Sequence, residues 1–203
     1  GLQSPPLRRK PWPAYQGRKY SAEEVDTAIE EFLPWLERVQ PDGDSDGVAT
    51  AVRALVEGEI VAVWEGRAEV GARALGHRSI LADPRRADIH RRVNIVKQRE
   101  QWRLLAPSVL AEHADEWFDG VPSCGSPYMS ITASVKPEAR TKVPAVTHVD
   151  GSARLQTVDA EKAPDYYALI IAFFALAGVP MVLNTSFNLN KMPIVEARPA
   201  HLN

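Results

Sequence analysis

The stretch Val93–Val109, VNIVKQREQWRLLAPSV, takes the chain from a helix into a strand and sets three cations at the passage. Its start continues an apolar repeat of Ile89, Val93 and Val96. That spacing predicts a helix opened by Asp83-Pro84, with Arg85, Arg86, Arg91 and Arg92 on a solvated outer face. Its end, Ala106-Pro107-Ser108, reads as an edge or irregular strand, because Pro107 drives Ala106 out of the α region. Lys97, Arg99 and Arg103 lie between. On a helix Lys97 and Arg99 would point about 200° apart, whereas in an extended segment residues two apart share a face and converge on one phosphate or carboxylate. The expectation is therefore an extended cationic segment that grips an anion. Surface charges at a helix end are the competing reading.

Working outward, Ile60–Trp64 is a short apolar β run and Ser79–Asp83 a second. The loop joining them alternates Gly66, Gly71 and Gly76 with Arg67, Arg73 and Arg78. Glycines let backbone approach a ligand, and guanidinium forks match phosphate oxygens two at a time. The loop fits neither a Walker pattern nor a dinucleotide fingerprint, and a surface hairpin with charged tips is its bland alternative. From Arg67 to Arg103 there are ten cations against four anions, while the 203-residue chain has a formal net charge of −2. An anion site is therefore local, with no attraction of the whole surface to nucleic acid or membrane.

Upstream, Gly1–Arg18 holds Pro5, Pro6, Pro11, Pro13 and four basic residues, composition that suits a linker or arm (1–18) from an upstream domain. The main domain is expected over 19–203. Ser21 and Glu24 form a capping box before a helix with Val25, Ile29, Phe32 and Leu33 on one face. After a polar turn at Asp42–Gly47, a second helix carries Val48, Ala51, Val52, Leu55 and Val56 and stops at Gly58. Downstream come a short helix at Glu112–Phe118 and a strand at Tyr128–Val135. Two more strands, Ala145–Val149 and Leu155–Val158, are expected to be joined by the turn at Asp150-Gly151. Arg154 follows that turn and aims a guanidinium; His148 reads as a hydrogen-bonded strand-end residue. Pro164–Leu176 is an apolar helix, Val179–Leu183 a buried strand, and Ser186 and Asn188 share a side if the chain stays extended. Strands alternating with helices predict an α/β or α+β layered domain with a mixed sheet. The single Cys124 permits no internal disulfide, and no apolar run suffices to span a bilayer, so a cytoplasmic protein is expected.

Five ordered motifs are Gly66–Arg85, Val93–Val109, Ser126–Ser130 (SPYMS), Pro144–Val158 (PAVTHVDGSARLQTV) and Val179–Asn188 (VPMVLNTSFN). Together they resemble the C-terminal domain of the O-carbamoyltransferases that decorate antibiotics and nodulation factors. The resemblance runs from about Tyr15 to the end. It implies a YrdC-like fold, a twisted mixed β-sheet flanked by helices, as in threonylcarbamoyl-AMP synthases and part of the hydrogenase maturation carbamoyltransferase. Lys97 and Arg99 match that family's K-x-R, and Ser186 and Asn188 its S-x-N. The implied chemistry is ATP-dependent activation of carbamoyl phosphate to carbamoyl-adenylate. An upstream Kae1-like domain with its own metal, acting covalently or in trans, would then carbamoylate a hydroxyl acceptor. The resemblance assigns Lys97 and Arg103 to carbamoyl phosphate and Arg73, Arg78 and Arg154 to further phosphate contacts. Arg99 becomes a clamp shared with the nucleotide, Ser186 and Asn188 hydrogen-bond phosphates or carbamate, and Mg²⁺ bridges ATP phosphates. No protein metal site is expected in this chain.

The family pattern has an aromatic residue and a proline where this chain has Val70 and Ala72, and asparagine at His77. It has R-P-F-A-P in place of Arg103–Pro107, and glycine and glutamate at Lys191 and Met192. The cations and the S-x-N are kept. Partners on this reading are carbamoyl phosphate, ATP and the upstream domain, with a homodimer left open and neither membrane nor nucleic acid expected. The competing functions are a nucleotide or RNA-binding module, for which Trp102 is the one aromatic residue interleaved among the cations, and a degenerate docking domain of the same fold.

Overall fold

The computed structural model describes residues 14–37 and 47–195. Most of the 1–18 arm and most of the Asp42–Gly47 turn lie outside the described residues. The capping box forms: Ser21 Oγ accepts from Glu24 N–H at 3.2 Å and Ser21 N–H donates to Glu24 Oε2 at 2.9 Å. Helix α1 follows at Ala22–Phe32, with a 3₁₀ turn at Leu33–Trp35, and none of its residues is buried. Helix α2 (Gly47–Glu57) buries Val52 and Leu55. Then come β1 (Val61–Trp64), β2 (Arg78–Ala82), α3 (Ile89–Val96), β3 (Ala106–Leu110) and, after a 3₁₀ turn, α4 (Ala114–Trp117). The chain continues through β4 (Phe118–Asp119), β5 (Ile131–Val135), α5 (Pro137–Arg140), β6 (Ser152–Val158), α6 (Pro164–Ala177) and β7 (Met181–Ser186). Gly178 ends α6 at φ 70, the left-handed cap that glycine adopts without a Cβ clash.

The sheet is mixed and seven-stranded, in the order β1-β2-β7-β3-β6-β5-β4. Only β3 and β6 run parallel; the other neighbours are antiparallel. Successive residues supply two cores on opposite faces. Leu81, Leu110 and Val182 pack with α2 and α6, while Ala82, Val109 and Leu183 pack with Ile89 and Val93 of α3. The result is the helix-flanked α/β architecture that the strand and helix alternation predicts. Among the described residues no helix is long and apolar enough to cross a membrane.

Several local expectations are overturned. Lys97 and Arg99 are not extended: Lys97 caps α3 in αR geometry, Gln98 turns to φ 52, and the 97–103 segment loops back. Gln98 N–H bonds Ile95 O and Arg99 N–H bonds Asn94 O, which is a Schellman closure with a glutamine where glycine would usually announce it. The buried stripe of α3 runs through Ile89, Val93 and Lys97, one residue every turn, and leaves Val96 at 47% exposure instead of inside. Helix α3 begins at Ile89, not at Asp83-Pro84. Asp83 is instead a buried carboxylate held by Arg85, whose guanidinium also donates to Ala177 O, so Arg85 does not belong to a solvated face.

Strand β3 lies at the centre of the sheet rather than its edge. Its pairing with β6 starts at Ser108, beyond the proline, so the missing N–H of Pro107 interrupts nothing on that side. The strand expected at Ala145–Val149 is a 3₁₀ turn at Pro144–Val146, begun by a proline whose fixed φ suits a first helical position. The hairpin turn at Asp150-Gly151 therefore feeds a single strand, and β6 pairs with β5. Strand β7 runs past Leu183 to Ser186.

Candidate active site at one end of the sheet

Pairing register brings the cationic segments to one end of the sheet. Ser79 at the start of β2 faces Ser186 at the end of β7; Ala106 at the start of β3 faces Asn184 of β7; and the parallel partner of β3, β6, begins at the same end, with Arg154 two residues before Gln156. The loop 65–77, the α3–β3 connection, the start of β6 and the Ser186–Asn188 tail therefore meet.

Lys97 sits at their centre at 2% exposure. Its ammonium donates to Ser186 O, to Asn188 O at 2.9 Å and to Asn188 Oδ1 at 2.8 Å, with Ser186 Oγ at 3.4 Å. Ser186 Oγ donates in turn to Asn188 Oδ1 at 2.6 Å, and Asn190 N–H to Lys97 O at 3.0 Å. The K-x-R and S-x-N segments are thus two halves of one structure. Burial, and then the neighbouring Arg99, lower the Lys97 pKa to about 8.

Around this anchor lies a set of cations that repel one another. Burial lowers the pKa of Arg99, and Arg103 and Arg154 lower it further; burial lowers that of Arg154, with Arg73 next. Asn94 Oδ1 fixes Arg99 by accepting from its Nε at 2.6 Å, leaving Arg99 Nη2 buried without a hydrogen bond; Arg154 Nε is in the same condition. Arg73 is exposed on the 65–77 loop. Arg103 sits at the margin, donating to Glu100 Oε2 at 2.7 Å.

Arg78 stands apart. It is fully buried, its Nη1 and Nη2 donate to the carbonyls of Glu65, Gly66 and His77, and it lies 4.2 Å over the Trp64 ring, so these two nitrogens are committed to shaping the loop. Much of the cation excess is similarly engaged. Arg67 holds Gly17 O, Arg86 pairs with Asp88, and Arg92 holds Gly58 O. His148 is a turn residue, its Nδ1 3.3 Å from Ser152 Oγ and its pKa lowered by burial.

Two features escape a reading of spacings. Glu69 Oε1 accepts from the N–H groups of Leu75 at 2.7 Å, His77 at 2.8 Å and Arg78 at 3.2 Å, so one carboxylate oxygen folds the whole loop. Below it a buried amide network ties the loop to three strands. Asn184 donates to Ala74 O at 3.2 Å, Gln156 to Leu75 O at 2.9 Å, and both meet Ser108. The only sequence trace of this network is polar residues inside runs that otherwise read as buried strand. Gly76, at φ 121, lies so near Tyr166 that a Cβ would come within 2.3 Å of the ring. Tyr15, from the 1–18 arm, stacks on His77 at 3.7 Å and donates to Leu75 O at 3.0 Å.

A cavity of about 450 Å³ opens between the loop and the tail, lined by Glu69, Gly71, Ala72, Ser186, Asn188 and Met192. Two of the family-variable positions, Ala72 and Met192, are in its wall, and Met192 O accepts from Asn188 Nδ2 at 2.7 Å. Among the described residues there is no group of three or more His, Cys, Asp or Glu side chains arranged to hold a metal ion. Chemically the site offers fixed positive charge, free guanidinium N–H groups and one hydroxyl-amide pair, which suits a phosphorylated ligand.

Comparison with known proteins gives the family and the fold. Nodulation protein NolNO of Sinorhizobium fredii is 44% identical over 175 residues, covering 85% of this chain and 26% of that protein. The 3'-hydroxymethylcephem-O-carbamoyltransferase of Amycolatopsis lactamdurans is 37% identical over 179 residues, covering 88% of this chain and 32% of that protein. The chain thus spans about a quarter to a third of the length of these curated relatives. In fold it matches the crystal structure of full-length HypF in its phosphate- and nucleotide-bound form, with a TM-score of 0.51 at 13% identity over 79% of this chain and 19% of that one. HypF of T. kodakarensis matches with a TM-score of 0.50 at 16% identity over 78% of this chain and 19% of that one. Residues 52–202 match the family model described as Carbamoyltransferase C-terminus. With most of its length inside that pattern and the cations of its motifs gathered at one end of the sheet, the chain belongs to the carbamoyltransferase C-terminus family.

Proposed function

We propose that this chain binds carbamoyl phosphate and ATP and converts them to carbamoyl-adenylate, phosphate and pyrophosphate. The observation that carries this reading is the uncompensated cation set. Arg99 Nη2 and Arg154 Nε are buried donors with no acceptor among the described residues, beside an ammonium that holds the Ser186–Asn188 tail. Unpaired buried donors are costly, and the phosphate oxygens of a polyanion remove that cost. The names of the cephem carbamoyltransferase relative and of the phosphate- and nucleotide-bound HypF structure agree in kind with such ligands.

On this reading water cleaves the C–O–P linkage of carbamoyl phosphate, giving carbamate and phosphate. A carbamate oxygen then attacks the α-phosphorus of ATP, a P–O bond forms, and pyrophosphate leaves with the electron pair of the bond to the β-phosphate bridge. No side chain becomes covalently attached. Arg99, Arg154 and Arg73 spread the developing negative charge, and Ser186 and Asn188 orient the reacting oxygens. Lys97 acts by holding that tail in place. Mg²⁺ would enter on the ATP phosphates, where it neutralises charge as ATP reacts. Transfer to a hydroxyl acceptor, and the acceptor's identity, belong to the Kae1-like domain expected upstream.

The test is pyrophosphate release from ATP on addition of carbamoyl phosphate. It is expected with this chain and should fall at least about 100-fold in Lys97→Ala and Arg154→Ala. ATP binding without carbamoyl phosphate-dependent pyrophosphate would reject the reaction.

A further inference from the structure

The three backbone N–H groups on Glu69 engage one oxygen of its carboxylate; the other, Oε2, is buried and carries no hydrogen bond. The residue lines the same cavity as Ser186 and Asn188. No arginine of the cluster is paired with it, although Arg73 and Arg78 come from the same loop. An acceptor kept desolvated and unpaired in a residue that lines the cavity beside the Ser186–Asn188 tail is satisfied by a ligand that brings an N–H. Phosphate oxygens cannot supply one; they accept. The carbamoyl carbon bears an NH₂, with two N–H bonds, beside the oxygen that links it to phosphorus, so carbamoyl phosphate brings a donor for Glu69 together with phosphate oxygens for the cations at the same end of the sheet.

We propose that Glu69 Oε2 accepts an N–H of the carbamoyl NH₂ and thereby selects carbamoyl phosphate over acyl phosphates that present a methyl group at that place. The inference rests on the reading that this site takes carbamoyl phosphate. An acetyl group there leaves the oxygen buried and unpaired, and sites built around such an acceptor reject ligands that lack the donor. Glu69 has a second duty in holding the loop, so the informative change is Glu69→Gln, which retains an oxygen for the three N–H groups and puts an NH₂ donor where Oε2 was. Facing the carbamoyl NH₂, that amide repels.

Calorimetric titration of the chain with carbamoyl phosphate and with acetyl phosphate, both without divalent cation, separates the outcomes. The native chain should prefer carbamoyl phosphate by roughly 10–100-fold. Glu69→Gln should lose that preference through weaker carbamoyl phosphate binding, with acetyl phosphate changed by no more than about twofold and amide exchange at Leu75, His77 and Arg78 unchanged. Equal weakening of both ligands would reduce Glu69 to a loop-folding residue and overturn the proposal, as would a preference that survives in Glu69→Gln. A native chain that binds both compounds equally well overturns the selection by Glu69 while leaving the phosphate site standing. A native chain that binds neither removes the substrate reading, and the role of Glu69 falls with it.

Discussion

Lys97 is a buried amine whose hydrogen bonds tie two segments of the candidate site together. Its three protons are used on the carbonyls and side chains of Ser186 and Asn188, so the ammonium fixes the tail that faces the cavity. Its folded pKa lies near 8 against an ordinary 10.5. Between those values the unfolded chain binds more protons than the folded one, so this residue's contribution makes stability rise with pH from about 8 to about 10.5, and the penalty is fully present below 8. A bound polyanion reverses the preference by favouring the ammonium. Binding of carbamoyl phosphate should therefore take up protons near pH 8 and weaken as pH rises beyond it, measurable by calorimetry in buffers of different ionisation heat. Lys97→Met should abolish that proton uptake. Next to it, Gln98 holds a left-handed turn at φ 52 that glycine adopts without strain. Gln98→Gly is expected to raise stability by about 0.5–1 kcal/mol, read from chemical denaturation.

At the scale of elements, the site depends on polar residues inside strands. Ser108 of β3, Gln156 of β6 and Asn184 of β7 join across the sheet, and two of them hold the carbonyls of Ala74 and Leu75. Asn184→Leu leaves the buried Ala74 carbonyl unpaired and should cost about 1–3 kcal/mol, with faster amide exchange confined to the 65–77 loop. If the cost appears without loop exchange, the network serves the core and not the site. Spacing could not expose this arrangement. The motif VLNTSFN reads as strand followed by polar tail, and the burial of Asn184 follows only from its pairing opposite Ala106 and Leu81. The same holds for Lys97. An extended reading put it beside Arg99 on one face, whereas a helix cap lacking glycine turns the chain and leaves the lysine as the last member of a buried helical stripe.

Across the whole molecule, function is set against stability. Burial and then Arg73 lower the proton affinity of Arg154, burial and then Arg103 and Arg154 lower that of Arg99, and no carboxylate among the described residues is bonded to Arg154. Arg154→Met removes a buried donor that lacks a partner, so the ligand-free protein should melt at a higher temperature while the stabilisation conferred by carbamoyl phosphate and ATP disappears. Thermal melts with and without the two ligands check both signs.

The order of motifs, the helix-flanked mixed sheet and the kinds of residue at the site were all readable along the chain, because hydrophobic period, caps and charge are local properties. Family membership was readable too, since the motifs keep their order. What only the tertiary structure decided is which charges are spent on partners within the fold and which keep buried donors unpaired. Arg78 and Arg85 look like their neighbours in sequence, yet they are spent on loop carbonyls and on Asp83. Glu69, unmarked by any spacing, becomes the hub of the loop. The physical reason is that β7, the last of the described strands, pairs between β2 and β3, so contacts between residues far apart in sequence set the register of that end of the sheet.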